Sequence, residues 1–288
     1  MTKVAGRTAL VTGGGSGIGR GLALELAAKG ASVAIADILP DNARTVAEEI
    51  AAKGGKALAI ECDVTDMASL ADAKRMASDR LGPVSLLFAN AGATSFERIT
   101  DMSADDIDWI VHANLIGVLN CVKTFYPDMV AARDGHVCAT ASTAGLLPSW
   151  IPYHAAYSGA KMGIIGMMLN LAVEAREYGV GTTAFVPHGV VSNMKANNAR
   201  YRPARFGGPG EGEVQIPDGA QWHAQVTFRP AELVGKLVVK AVEEDRPMVI
   251  SDGSIRKTFD ETYRRIVYDA FDFADAFYAE ESAFTGKD

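Results

Sequence analysis

Cysteine, surplus positive charge and long apolar runs are all scarce in this chain, and each shortage closes off a class of function. The three cysteines, Cys62, Cys121 and Cys138, form no C-x-x-C pair and are odd in number. They provide neither a disulfide framework nor a cysteine zinc site, which leads us to expect a cytoplasmic protein. Against 35 acidic residues stand only 28 basic ones, a net charge of −7, which argues against a partner such as nucleic acid that is held by its phosphates. The longest greasy stretch, Met162 to Val173, falls short of the roughly 20 residues a membrane span needs. Met1 to Arg7 does not read as a signal peptide, so no membrane association is expected. Histidine is sparse too: His112, His136, His154, His188 and His223 show neither H-x-x-x-H nor H-E-x-x-H spacing, and no metal is expected. No G-x-S-x-G elbow of a serine hydrolase and no Walker phosphate loop occurs.

Glycine, by contrast, is plentiful at 29 of 288 residues, which signals tight turns and close backbone approaches. From residue 8 the chain alternates short β-branched runs with longer helical ones. The candidate strands are Thr8–Thr12, Ser32–Asp37, Ala57–Glu61, Val84–Asn90, His136–Ala141, Gly181–Pro187 and Met248–Ser251. Between them lie helical stretches, among them Ile18–Lys29, Ala104–Ala132, Ala155–Tyr178 and Ala231–Glu244. This rhythm predicts an α/β fold: a single doubly wound, Rossmann-type domain with a seven-stranded parallel sheet and helices on both faces. We expect residues 1–252 to form that domain and residues 253–288 a C-terminal helical extension, where Phe259, Tyr263, Ile266, Ala270, Phe273 and Phe277 recur at helical spacing. Such a stripe predicts docking on the chain's own domain or on a second subunit.

The first strand runs through Gly13, Gly14, Gly15, Ser16, Gly17, Ile18 and Gly19 into a helix. Glycines there let the backbone approach a pyrophosphate, and the helix N-terminus stabilises its charge. The spacing is G-x-x-x-G-x-G rather than the strict G-x-G-x-x-G fingerprint. Asp37 closes the second strand 18 residues after Gly19, where a carboxylate can accept from both hydroxyls of an adenosine ribose and would repel a 2′-phosphate. NAD is therefore expected over NADP, although Arg20 and Arg44 are near enough in sequence to be recruited, and Asp37 could instead cap the turn before Pro40. Tyr157 and Lys161 stand four apart on a helix and so share a face. An ammonium beside a phenol favours the phenolate, and Ser142, 15 residues upstream, ends a predicted strand where the ligand crevice of an open α/β sheet should lie.

Taken together, these residues resemble the short-chain dehydrogenase/reductase family over roughly Gly6 to Met194, and more loosely to Ser251. The resemblance extends to Asp63-Val64, Asn90-Ala91-Gly92 and Asn114. It implies that Tyr157 exchanges a proton with the substrate oxygen, that Ser142 orients that oxygen, and that Lys161 holds the nicotinamide ribose and tunes the tyrosine. Asn114 would hold a relay water, Asp63 and Val64 would flank the adenine, and Asn90 would line the cofactor cleft. Pro187, Val190 and Ser192 fall where the family meets the nicotinamide end, but His188 replaces the usual glycine, either narrowing the pocket or pointing away as a structural histidine. The family also implies a homodimer or homotetramer built through the helices Ala104–Ala132 and Ala155–Tyr178.

One segment, Lys195 to Arg229, breaks the rhythm. So long a weakly patterned stretch suggests a functional loop, and we expect a lid over the substrate. Arg200, Arg202 and Arg205 lie near Tyr201 and Phe206, with Trp222 and His223 following, which suits an aromatic substrate carrying oxygen functions. Short stretches, Val191-Ser192-Asn193 and Arg200 to Gly207, resemble the Cα-dehydrogenases that oxidise benzylic alcohols of lignin-derived β-aryl ethers. The expectation is NAD-dependent interconversion of a bulky aryl secondary alcohol and its ketone. A hydroxysteroid or other bulky alcohol, or a non-catalytic NAD(H) sensor, remain the alternatives.

Overall fold

A computed structural model describes residues 1–149, 151–192, 194–210, 214 and 226–285. Of the expected lid, Trp222 and His223 lie outside the described residues. Seven strands make one parallel sheet in the order β3-β2-β1-β4-β5-β6-β7. They are β1 (Thr8–Thr12), β2 (Ser32–Asp37), β3 (Lys56–Glu61), β4 (Val84–Ala89), β5 (Gly135–Thr140), β6 (Val180–Val186) and β7 (Met248–Ile250). The helices between them are α1 (Gly17–Ala28), α2 (Pro40–Ala52), α3 (Met67–Leu81), α4 (Ala104–Val111), α5 (Gly117–Ala132), α6 (Thr143–Leu146), α7 (Ala155–Glu177) and α9 (Ala231–Glu243). This is the doubly wound arrangement that the alternation of runs predicts.

The two faces of the sheet follow from the two-residue period of a strand. In β1, Leu10 points into a core shared with Leu70 of α3, Phe125 of α5 and Ile164 of α7. Its neighbours Ala9 and Val11 point the opposite way, onto Leu22 of α1, Val46 of α2 and Val238 of α9. Every residue of β1 is thus buried, which is why the run reads as continuously apolar rather than alternating. On the second face α1 and α9 pack nearly backbone to backbone. A Cβ on Gly21 would lie 2.2 Å from the Ala231 carbonyl oxygen, and one on Gly235 would lie 2.3 Å from that of Gly21.

The long helix expected over Ala104–Ala132 is continuous but carries a π turn, His112–Ile116, between α4 and α5. Beyond β6 the chain is more ordered than its composition predicts: Met194–Tyr201 forms helix α8, and Ala204–Phe206 a 3₁₀ turn. The tail continues through α10 (Arg256–Phe259) and a second π turn into α11 (Arg265–Thr285). Ile255 is buried, but Ile266, Phe273 and Phe277 are each at least half exposed, so the stripe does not dock on its own domain. No helix among the described residues is long and apolar enough to cross a membrane.

Candidate active site

The C-terminal ends of the strands open into a cleft of about 1000 Å³, at the switch point where β1 and β4 diverge. Gly13, Ser16, Gly17 and Ile18 line it from the turn between β1 and α1. Gly13 has φ +61° and Gly17 φ +46°, conformations that favour glycine. A Cβ on Gly13 would sit 2.9 Å from the Ala91 Cα, and one on Gly17 3.0 Å from the Ser192 Cβ. The segments that follow β1, β4 and β6 therefore converge at the start of α1, which lines the cleft. Gly15 and Gly19 work from behind: Gly19 packs on the Gly13 carbonyl, and Gly15 lies against Asn42 and Asp37.

Asp37 is buried at the lip of the cleft, its carboxylate accepting from the backbone N–H groups of Gly15 (2.9 Å) and Leu39 (3.0 Å). Burial pushes its carboxyl above the usual carboxylate range, against the pull of those hydrogen bonds. One side chain thus both ties down the turn after β2 and presents a carboxylate to the cleft. Arg20 is engaged by Glu49 (2.8 Å) and Glu232 (2.5 Å), and Arg44 by Asp41. Among the described residues lining the cleft, Lys161 is the one basic side chain. Farther along, Asp63 accepts from Thr65 and pairs with Arg205 at 2.7 Å, while Val64 joins the core beneath.

Asn90 ties the sheet ends together. Its backbone N–H and that of Ala91 donate to the Thr12 hydroxyl (3.0 and 3.1 Å), its Nδ2 donates to the Thr12 carbonyl, and its Oδ1 accepts from the Thr140 hydroxyl. Thr12 opens the glycine motif, whereas Thr140, a threonine in a buried strand, carries no distinguishing pattern in the sequence. Gly92 lies between Asn114 and Lys161, for its Cβ would come within 2.6 Å of the Asn114 Oδ1 and 3.4 Å of the Lys161 Nζ. The π turn brings Asn114 inward, completely buried. Its Nδ2 donates to the Ala93 and Ile110 carbonyls, both at 2.9 Å. Its Oδ1 has no partner among the described residues, an acceptor of the kind a bound water satisfies.

Ser142 follows β5 and caps α6, accepting the Ala144 N–H at 3.1 Å. Its hydroxyl proton remains free to be donated, and Ser142 acts on the Tyr157 phenol from close by. Burial pushes the Tyr157 phenol up to about 12, with Ser142 pulling the other way. One turn on, the Lys161 Nζ lies 5.7 Å from the centre of the Tyr157 ring and donates to the Thr140 carbonyl at 2.8 Å. Burial draws Lys161 down to about 7. Neither Ser142 nor Asn114 lines the cleft directly; both stand behind groups that do.

Pro187 and Ser192 line the cleft, whereas the Val190 side chain sinks into the core. Its parallel bridge to Arg229 uses the Gly189 carbonyl and the Val191 N–H, both at 3.0 Å, which turns the N–H and C=O of Val190 itself away from Arg229. His188 does not line the cleft. It lies in the field of Asp252 and Arg229, and burial lowers its pKa, in keeping with the structural reading. The segment after β6 docks firmly at its start. Phe206 is buried against Trp109 with ring centres 5.6 Å apart, and Tyr201 tilts over the same indole at 6.0 Å. Arg202 pairs with Asp106 at 2.5 Å, so Arg202 and Arg205 are held by carboxylates rather than open to a substrate.

The residues that line the cleft fit a dinucleotide: a glycine cradle that any Cβ would fill, a helix N-terminus for the pyrophosphate, and a buried carboxylate for a ribose. Comparison with known proteins agrees. The short chain dehydrogenase family model matches residues 7–202. Oxidoreductase UcpA of Escherichia coli K12 is 36% identical over 200 residues, covering 69% of this chain and 75% of UcpA. The C alpha-dehydrogenase of Sphingobium sp. strain SYK-6 is 31% identical over 265 residues, 91% of this chain and 85% of that protein. A short chain dehydrogenase/reductase of Burkholderia phymatum, crystallised in complex with NAD, superposes with a TM-score of 0.83 at 26% identity, covering 93% of this chain and 97% of that one. With its sheet order, its cleft and most of its length matched, this chain belongs to the short-chain dehydrogenase family of oxidoreductases.

Proposed function

We propose that this protein is an NAD-dependent dehydrogenase that interconverts a bulky aryl secondary alcohol and its ketone. The observation that carries this reading is the meeting of Ser142, Tyr157 and Lys161 at one end of a cleft whose other end holds Asp37. NAD, when bound, supplies the hydride acceptor. Tyr157 removes the alcohol proton, acting as general base in this direction and general acid in the other. Ser142, beside the phenol and outside the lining of the bare cleft, would meet a substrate oxygen held against Tyr157 and orient it. Lys161 in the bare cleft is drawn toward neutrality by burial, and ribose hydroxyls around its ammonium would offset that cost and help hold the phenolate. Asn114 Oδ1, buried behind Gly92, supplies the acceptor for a water that links Lys161 to solvent.

Gly13, Gly15, Ser16, Gly17, Ile18 and Gly19 would cradle the pyrophosphate. Asp63, Val64, Asn90, Ala91 and Gly92 would line the adenine and ribose path, and Pro187, Val190 and Ser192 would meet the nicotinamide. NAD over NADP is supported by Asp37 and by the ion pairs that occupy Arg20 and Arg44. The aryl substrate is supported by the aromatic wall of Trp109 and Tyr201 and by the similarity to the C alpha-dehydrogenase. Trp109 offers a buried Nε1–H that has no partner among the described residues, a donor suited to a substrate oxygen. We place the catalytic domain at residues 1–252, with residues 195–229 as a substrate lid, of which 195–210, 214 and 226–229 are described, and residues 253–288 as an extension. A homodimer or homotetramer through α5 and α7 is supported by Leu119, Leu169 and Val173, which those helices leave exposed.

The test is NAD reduction with a panel of aryl and aliphatic secondary alcohols. Tyr157→Phe keeps the ring packing and loses the proton carrier, so turnover should fall by roughly 10² to 10⁴ while NAD binding, measured by titration calorimetry, stays within about twofold. A Phe variant retaining half the wild-type rate would remove Tyr157 from the acid/base role.

A further inference from the structure

His154 immediately precedes α7, three residues before Tyr157, and its ring is buried. Two rings bear on it: the Phe96 ring is stacked on it with centres 4.3 Å apart and planes 28° apart, and the Tyr157 ring packs against it at 4.4 Å, tilted by 51°. The backbone of Ser95 hydrogen-bonds to the imidazole, while Nδ1 is buried with no partner among the described residues. Burial draws the imidazole down to about 4, so the ring is neutral at ordinary pH. A histidine kept for its hydrogen bonds would satisfy both nitrogens; one kept for the flat face of its ring need not.

The chain around it is shaped to hold that ring. Tyr153 has φ +59°, a left-handed conformation unusual for an aromatic residue. Its carbonyl accepts the Glu97 N–H at 2.7 Å, its hydroxyl accepts from Arg98 at 3.0 Å, and the Arg98 guanidinium lies 4.5 Å from its ring centre. The loop Ser95–Arg98 therefore grips two successive residues, Tyr153 and His154, and the second of them bears on the phenol.

We propose that His154 is a positioning residue for Tyr157: clamped against Phe96, its ring fixes the phenol's plane and keeps water from that side of it. The inference rests on the acid/base role given above to Tyr157. The other groups around the phenol are Ser142, Lys161 and, across the cleft, Tyr201; Lys195 lies beyond the clamp, 5.9 Å from the Phe96 ring centre.

The test compares His154→Ala, which removes the ring, with His154→Phe, which keeps a flat face, and His154→Leu, which keeps volume without it. Folding is checked by circular dichroism and by NAD affinity. With α-methylbenzyl alcohol as probe, kcat should fall on the order of tenfold in the Ala and Leu variants, NAD affinity should hold, and Phe should restore most of the rate. A second readout needs no substrate. In protein labelled with meta-fluorotyrosine and saturated with NAD, the Tyr157 resonance is identified by its loss in Tyr157→Phe. It should shift in His154→Ala and titrate at least about one pH unit lower, because water reaches the phenol, and it should stay in place in His154→Phe. A folded His154→Ala protein with wild-type kcat or an unmoved Tyr157 resonance would overturn the proposal, as would a Phe variant no better than Ala. Should Tyr157→Phe itself remain active, the acid/base reading falls, while the fluorine signal still reports whether His154 holds the ring. If the Ala variant does not fold, Leu against Phe decides in the same way.

Discussion

Asp37 shows how much one side chain is asked to do. It accepts from two backbone N–H groups, one of them from the glycine turn, and it presents a buried carboxylate to the cleft. Replacing it with Ala removes the charge that a 2′-phosphate would meet in a partly desolvated site, and a basic residue introduced at Ile38 would attract that phosphate. For Asp37→Ala with Ile38→Arg, the ratio of kcat/KM for NADP over NAD should rise on the order of tenfold or more. Some stability should be lost with it, about 1–3 kcal/mol, because two N–H groups lose their acceptor. Steady-state kinetics with both cofactors measures the first effect and urea denaturation the second. An unchanged cofactor ratio would place the ribose elsewhere.

Among the elements, the crossing of α1 and α9 carries the most specific expectation. Gly→Ala inside a helix ordinarily stabilises by about 1 kcal/mol. At Gly235 the added methyl would meet the Gly21 carbonyl oxygen at 2.3 Å, and backbone, unlike a side chain, cannot step aside without moving a helix. The sign should therefore reverse, with Gly235→Ala losing about 1–3 kcal/mol in chemical denaturation. NAD affinity should weaken as well, since α1 also carries the N-terminus that faces the cleft. The π turn is a second case of an element serving the site. It was not readable from residues 104–132, where nothing in the apolar spacing marks an inserted residue, yet it is what carries Asn114 into the interior.

At the scale of the whole molecule, the buried neutral histidines set the acid limit of stability. His136 lies at the bottom of the sheet, its Nδ1 2.9 Å from the Thr2 hydroxyl and its Nε2 2.8 Å from that of Thr183. Asp245 at 3.5 Å favours the charged form, but burial outweighs it and draws His136 down to about 4. His154 is lowered to the same value by the same cause. For a group neutral in the fold and free to protonate at about 6.5 in the unfolded chain, the unfolded state binds more protons between those two values. Stability from this source is therefore complete above about pH 6.5 and is lost as pH falls toward about 4, at roughly 3 kcal/mol for each histidine. Melting temperatures measured from neutral pH down to about pH 4.5 should drop steeply, and His136→Gln should flatten part of that slope.

What the amino-acid sequence determined by itself was whatever depends on local spacing. Short apolar, β-branched runs alternating with longer helical ones specify the strands, and the glycines before α1 specify a tight strand-to-helix turn. The four-residue interval from Tyr157 to Lys161 specifies that phenol and ammonium share a helix face. Tertiary structure decided what depends on residues far apart in the chain. It brought Asp106 and Asp63 to Arg202 and Arg205, which turned an expected basic substrate loop into a segment latched across the cleft. It also set Phe96 against His154, and His154 against Tyr157. It left the stripe of the C-terminal helix exposed, because apolar spacing states that a face needs cover but not which surface provides it. The physical reason is the same in each case: a residue's own neighbours in sequence set its conformation, whereas its charge partner and its burial are set by whichever elements the sheet order brings beside it.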